Sequence, residues 1–142
     1  MYRFLECTVS QYMTRSVRTV RRRISLRELE ALFEQHDFNA FPVVEEGEMV
    51  GIITKFDFLR AFIFTTGQMV PHYDDFMNHP VEEVMTEAVV HVESTAPLTR
   101  VLQLMVNLKA RSFPVVDANR QLVGIISRED VMRALRDATT QL

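Results

Sequence analysis

The sequence predicts a mixed α/β (α+β) fold of two β-α-β-β-α halves related by pseudo-twofold symmetry. The first ground is an internal repeat. Phe41-Pro42-Val43-Val44 recurs as Phe113-Pro114-Val115-Val116, 72 positions on, and Met13-Thr14 recurs as Met85-Thr86 at the same offset. Val17, Val20, Leu26 and Leu32 match Val89, Val92, Leu98 and Leu104 without a gap. One extra residue enters after the Val-Val pair, so Gly51 matches Gly124 at an offset of 73. Asp57-Phe58-Leu59-Arg60-Ala61 then matches Asp130-Val131-Met132-Arg133-Ala134. The second ground is the apolar spacing in each copy, which passes between short strand-like runs and helical stripes. Two copies are too few for a solenoid and suit two half-units closing on one another.

In chain order, residues 2–13 read as a short lead-in helix. Residues 17–20 alternate apolar and polar, which predicts a strand. Ser25-Leu26-Arg27-Glu28 is a capping box, so Ser25 should start a helix with Leu26, Leu29, Leu32 and Phe33 on one face. Residues 41–44 form a buried strand, Glu46-Gly47 a turn, and residues 49–53 the hairpin partner. A second helix runs from Lys55 to about residue 65, with Phe58, Leu59 and Phe62 turned inward. Residues 66–78 have no counterpart in the repeat; Gly67, Pro71 and Asp74-Asp75 speak against one helix, and Phe76-Met77 would anchor the stretch. Residues 81–85 read as a short helix. The order then repeats: strand 89–92, helix from about 97 to 109 with the stripe Leu98, Val101, Leu102 and Met105, strand 113–116, turn Asp117-Ala118-Asn119, strand 122–126 and a final helix from Arg128. This divides the chain into a lead-in and first motif (1–66), a connection (67–79) and a second motif (80–142). A half of about 60 residues buries too little surface alone, so the halves are expected to share a core.

Composition excludes several classes. The chain has 142 residues, 47% hydrophobic and 25% charged, with net charge −3, which suits one compact domain and argues against general nucleic-acid binding. Residues 1–6 lead into no apolar stretch, so no signal peptide is expected. No apolar run is long enough to span a bilayer. Cys7 is the single cysteine, which leaves no intrachain disulfide and points to the cytoplasm. His36, His72, His79 and His91 lack metal-ligand spacing, so no metal site is expected. No nucleophilic triad or paired carboxylates are visible, and no enzymatic role is expected.

The chemistry concentrates at Gly124-Ile125-Ile126-Ser127-Arg128-Glu129-Asp130 and its counterpart Gly51-Ile52-Ile53-Thr54-Lys55-Phe56-Asp57. In each, an apolar strand ends at a hydroxyl residue, and an Asp stands on the first turn of the following helix. Unpaired N–H groups and the helix dipole make that end a phosphate seat, while the carboxylate suits a pair of sugar hydroxyls. The same residues also read as a capping box, which needs no ligand. Asp is shorter than the usual Glu and should reach back less well; its presence in both copies favours binding.

These features resemble a tandem pair of CBS domains, the cystathionine-β-synthase motif, together called a Bateman module. Met-Thr before the first strand, the apolar-Pro-Val-Val strand and Gly-apolar-x-Thr/Ser-x-x-Asp carry the resemblance, from about Val9 to Leu135. It implies a non-enzymatic regulatory module that binds adenine nucleotides or adenosyl ligands in clefts between its motifs. It implies that Thr54 and Asp57 serve one cleft, and Ser127 and Asp130 the other, with the Asp on ribose. It places adenine against Val89, Val90, Ser112 and Pro114 for the Asp57 cleft, and against Val17, Arg18, Ala40 and Pro42 for the Asp130 cleft. Arg111 stands where the family often has a phosphate-contacting base, whereas its counterpart Asn39 is neutral. Lys55 and Arg128 are further phosphate candidates; Arg111 and Lys55 read equally well as solvated charges. The Ser127/Asp130 cleft has the better claim to an anion.

The resemblance leaves AMP, ADP, ATP, S-adenosylmethionine and dinucleotides open as ligands, and a divalent metal beside a polyphosphate, with a homodimer and a regulated protein as partners. A ligand-free dimerisation module regulating a transporter or enzyme is the alternative. Arg15, Arg18, Arg21, Arg22 and Arg23 form a basic run that reads as a solvated edge, a polyphosphate contact or a dimer face. A nucleic-acid stripe is disfavoured because no aromatic interleaving accompanies it. Phe62, Phe64 and Met69 are candidate interface residues.

Overall fold

The computed structural model describes residues 2–66, 73–87 and 89–140, with side chains from residue 3 and, in the first stretch, up to residue 63. The elements run α1 (Tyr2–Leu5), α2 (Val9–Tyr12), α3 (Leu26–Gln35), β1 (Ala40–Glu45), β2 (Glu48–Thr54), α4 (Lys55–Thr66) and α5 (Tyr73–Met77). A 3₁₀ turn at Val81–Glu83 follows, then β3 (Val92–Glu93), α6 (Leu98–Leu108), β4 (Ser112–Val116), β5 (Leu122–Ser127) and α7 (Arg128–Thr140). The mixed fold is as expected. Strands β1 and β2 pair antiparallel; in the other sheet, β3 is parallel to β4 and β4 antiparallel to β5.

The chain packs as two compact units, a central one, Arg18–Val89, and a terminal one, Met1–Val17 with Val90–Leu142. The lead-in therefore packs with the second repeat, and the segment before the second repeat packs with the first. Each unit has its own core. The terminal core gathers Phe4, Val9 and Met13 with Leu98, Val101, Phe113 and Ile126. The central core gathers Met77 and Val81 with Leu26, Leu29, Phe41 and Ile53. The crossing segment supplies what a half of the chain lacks, since each fully buried apolar side chain is worth about 1.5–3 kcal/mol.

Two glycines make the crossing fit. Thr14 exchanges backbone hydrogen bonds with Ile125 (2.8 and 2.9 Å), and Thr86 does the same with Ile52 (2.9 Å each). A Cβ at Gly124 would lie 2.7 Å from the Thr14 carbonyl oxygen and 2.8 Å from Met13 Sδ. One at Gly51 would lie 2.8 Å from both the Thr86 carbonyl oxygen and Met85 Sδ.

Several elements differ from their sequence reading. The lead-in is two four-residue helices, because Thr8 caps α2: its backbone N–H reaches the Gln11 side chain at 3.1 Å. Residues 17–20 form no strand; only Val20 bridges to Val43. The strand expected over 89–92 is the pair Val92–Glu93, and residues 81–85 give a 3₁₀ turn. Leu59 points outward at 63% exposure, while Phe58 and Phe62 pack on the central core. Phe62, half-buried against the central core, meets the rings of Phe58, Tyr73 and Phe76. The Phe64 side chain and Met69 lie outside the described residues, as do Gly67 and Pro71 of the connection; Met77 is buried and Phe76 half-buried.

The helix start at Ser25 is as read: its hydroxyl accepts the Glu28 N–H at 3.1 Å. Ser25→Ala is expected to lower stability by about 1 kcal/mol, the usual worth of an N-cap, as a fall in the urea midpoint with unchanged slope.

Candidate functional site

Each hairpin ends at the start of a helix, β2 into α4 and β5 into α7, and there the hydroxyl residue and the Asp meet. In the central unit the Asp57 N–H donates to Thr54 Oγ1 at 2.9 Å, and the Thr54 N–H donates to Asp57 Oδ2 at 3.1 Å. In the terminal unit the Asp130 N–H donates to Ser127 Oγ at 3.2 Å, and the Ser127 N–H donates to Asp130 Oδ2 at 2.9 Å. Both are complete reciprocal caps. The expectation that Asp falls short is corrected: the strand-to-helix bend brings the N–H close enough for the shorter side chain.

The caps use one oxygen of each acid. The other faces an arginine three residues on: Asp57 Oδ1 accepts from Arg60 at 2.9 Å, and Asp130 Oδ1 lies 3.3 Å from Arg133. Thr86 Oγ1 also donates to Asp57 Oδ1, at 3.3 Å. Both acids are 4% exposed, and they are the buried charged residues of the described chain. A buried carboxylate needs such partners, because an unpaired one is costly. An ionised carboxylate accepts at about four lone-pair sites, so acceptor capacity remains on each acid. Arg60 and Arg133 were missed in reading the sequence. The repeated Asp-x-x-Arg carried the signal, since side chains at i and i+3 share a helix face.

The other candidates divide by unit. In the terminal unit Ser112 pairs with Ser127 across β4–β5, and Pro114 with Ile125. The Arg111 carbonyl accepts the Arg128 N–H at 2.9 Å, which sets Arg111 beside the same corner. Arg111 is exposed, and among the described residues its guanidinium makes no ion pair. Arg128 is otherwise occupied: its guanidinium donates to the carbonyls of Ala110 (2.8 Å) and Lys109 (3.0 Å), closing the C-terminal end of α6. Val90 is 49% exposed and Val17 half-buried. In the central unit Ala40 pairs with Thr54, and Pro42 with Ile52. Asn39 gives its carbonyl to the Lys55 N–H at 2.9 Å, and Lys55 Nζ lies 5.7 Å over the Phe33 ring. Arg18 is exposed and Val89 half-buried. Within the units, then, the structure brings Ser112 to Ser127 and Ala40 to Thr54.

The basic run is largely neutralised locally. Arg21 pairs with Glu45 at 3.1 Å, and Arg22 and Arg23 approach Glu82 at 3.8 and 3.9 Å. The Arg22 backbone N–H, and then the Arg21 guanidinium, hold Glu45 below its ordinary carboxylate range. Arg15 donates to the Ser10 carbonyl at 3.0 Å. Among the described residues no cluster of His, Cys, Asp or Glu has the form of a metal site, and no helix is long and apolar enough to cross a membrane.

Comparison with known proteins agrees with this construction. The family model described as CBS domain matches residues 9–63 and again residues 81–137. The protein MJ0188 of Methanocaldococcus jannaschii is 35% identical over 134 residues, covering 93% of this chain but 45% of its own length. The structure of CBSX2, a CBS-pair protein from Arabidopsis thaliana, in complex with AMP has a TM-score of 0.78 at 27% identity, covering 93% of this chain and 98% of that one. The CBS domain pair of MJ0100, in complex with 5′-methylthioadenosine and S-adenosyl-L-methionine, has a TM-score of 0.72 at 28% identity, with the same two coverages. With both repeats matched and the hydroxyl–Asp corner built twice, the chain belongs to the CBS-domain family, as a tandem pair.

Proposed function

We propose that this CBS pair is a regulatory module that binds an adenine nucleotide or adenosyl ligand, with Asp130 and Asp57 receiving ribose hydroxyls. The observation that carries the proposal is the duplicated corner: a buried carboxylate, one oxygen fixed by a helix cap, beside the first turn of a helix. Capping fixes the rotamer of each acid before a ligand arrives, which lowers the ordering cost of binding. The two relatives solved with AMP and with adenosyl compounds support the ligand class. Arg111, unpaired beside the Ser127/Asp130 corner, favours a phosphate there, so AMP is the first ligand to test, followed by ADP, ATP and S-adenosylmethionine. Signalling to a regulated protein, and assembly as a homodimer, complete the proposal.

The test is thermal unfolding across a ligand series. A ligand that binds the folded chain raises the midpoint with the logarithm of its concentration, adding about 2.7 kcal/mol of stability at a hundredfold excess over Kd. A flat response to all four compounds sinks the proposal. Arg111→Ala is expected to weaken AMP by about tenfold and leave adenosine unchanged, as for a lost charge-assisted bond to phosphate; equal loss for both removes Arg111 from the phosphate.

Three observations favour the second reading, a ligand-free interaction module. Both acids are already satisfied within the chain, and apolar side chains stand exposed on helical faces: Phe56, Leu59 and Ile63 on α4, Val106 on α6 and Met132 on α7. An apolar groove of about 370 Å³ between α6 and α7 adds to this surface. On that reading, stability depends on protein concentration and ignores nucleotide.

A further inference from the structure

We propose that Arg133 is a positioning residue that couples occupancy of the Asp130 corner to the N-terminal segment around Tyr12. This rests on the reading of Asp130 as a ribose acceptor. The contacts lie in the terminal unit. One guanidinium nitrogen of Arg133, Nη1, lies 3.3 Å from Asp130 Oδ1, the oxygen not used in the helix cap. The other, Nη2, donates to the Tyr12 carbonyl at 3.0 Å, across 121 residues of sequence. The guanidinium also covers the Tyr12 ring, 5.5 Å from its centroid. The Tyr12 hydroxyl donates to Asp137 Oδ2 at 2.9 Å, so α7 grips Tyr12 at both ends. Partial burial first, and then the bond to Asp137, push the Tyr12 phenol up from its ordinary value, which keeps it a proton donor.

The gripped segment has little order of its own. Helix α2 is four residues long, too short to hold by its own hydrogen bonds. Tyr12 ends it, and Met13 and Thr14, which pack on Gly124 and Ile125, follow directly. Whatever fixes Arg133 therefore fixes the junction between α2 and β5. A ribose hydroxyl on Asp130 Oδ1 immobilises the acceptor that Arg133 uses, and an immobilised Arg133 holds Tyr12 for longer. An effect of this kind is reciprocal: the grip on Tyr12 changes ligand affinity by the same factor.

The planar fork is required, because one group must meet a carboxylate and a carbonyl together; a lysine offers a single charged point. The repeat supplies a comparison. Arg60 meets Asp57 in the same way, but lies 5.8 Å over Phe56 of its own helix, and the position matching Tyr12 is Val84, which has neither ring nor hydroxyl. In the central unit it is Thr86 that reaches the acid from the crossing segment.

The experiment is amide hydrogen exchange on residues 9–14 with and without saturating AMP, alongside calorimetry, for the wild type, Arg133→Gln, Arg133→Lys and Tyr12→Phe. In the wild type AMP is expected to slow exchange in 9–14 by about five- to tenfold, the lower range of typical couplings. In Arg133→Gln the slowing disappears and AMP affinity falls by about the same factor. Arg133→Lys, which offers one charged point in place of the fork, falls in affinity by the same factor and also loses the slowing. Tyr12→Phe, a mild change that keeps the ring, reduces it in part. AMP binding to the wild type with no change in 9–14, or equal slowing in Arg133→Gln, overturns the coupling alone. No heat with AMP or S-adenosylmethionine overturns the ligand reading, and the coupling with it.

Discussion

Gly124→Val is expected to destabilise the terminal unit by about 1–3 kcal/mol, at the upper end of that range, and to lower the thermal midpoint by several degrees. The first side-chain atom would arrive 2.7 Å from the Thr14 carbonyl oxygen. That oxygen belongs to the backbone bridge with Ile125, so it cannot move aside without breaking the bridge. The thioether of Met13, the other near neighbour, is the end of a flexible side chain and can swing away. Adding Met13→Ala to Gly124→Ala should therefore recover nothing, because the carbonyl contact stays and Met13 belongs to the buried core. Urea unfolding measures both variants. An unchanged midpoint in Gly124→Val would show that the crossing segment does not lie on β5 as described. Gly51→Val is the matched test on Thr86.

Asp130→Ala should weaken AMP binding by about 1–3 kcal/mol, or roughly 5- to 150-fold, as expected when hydrogen-bond donors lose a buried acceptor. The variant also removes the reciprocal cap on α7, so some stability goes with it, about 1 kcal/mol. Asp130→Asn separates the two effects. An amide keeps the shape and an acceptor oxygen for the Ser127 N–H, but loses the charge that draws Arg133 and the ribose hydroxyls. Its stability is expected near the wild type, while its affinity falls. Calorimetry at matched folded fraction decides, and unchanged affinity in both variants takes Asp130 out of the site. Asp57→Ala repeats the measurement for the other corner.

The repeat made much of this legible. Matching Gly-Ile-Ile-hydroxyl-x-x-Asp stretches located both corners, and Ser25 located a helix start, because these are local signals within a few residues. What stayed hidden depends on partners distant in sequence. Met13-Thr14 and Met85-Thr86 are identical pairs, and nothing in them says which hairpin each will pack on. The strand expected over 17–20 had the right alternation, but only Val20 finds a neighbour to pair with. The apolar pattern of α4 makes Leu59 read as inward; among its described side chains Phe56, Leu59 and Ile63 are exposed. At the corners the bland and functional readings both drew on real chemistry. The cap forms in full, and it still leaves one oxygen of each acid for other partners.

The exchange of lead-in segments bears on how the chain is made. As synthesis proceeds, Phe4, Val9 and Met13 emerge before the central unit, while their packing partners Leu98, Val101, Phe113 and Ile126 emerge after it. Arg133 and Asp137, which bond Tyr12, lie 121 and 125 residues downstream of it. These apolar side chains must wait while the central unit is made, and that unit can close once residues 77–87 have left the ribosome. Long-range closure of this kind is slow. The central unit can thus form before the terminal one, whose early segment waits for the partners that follow it.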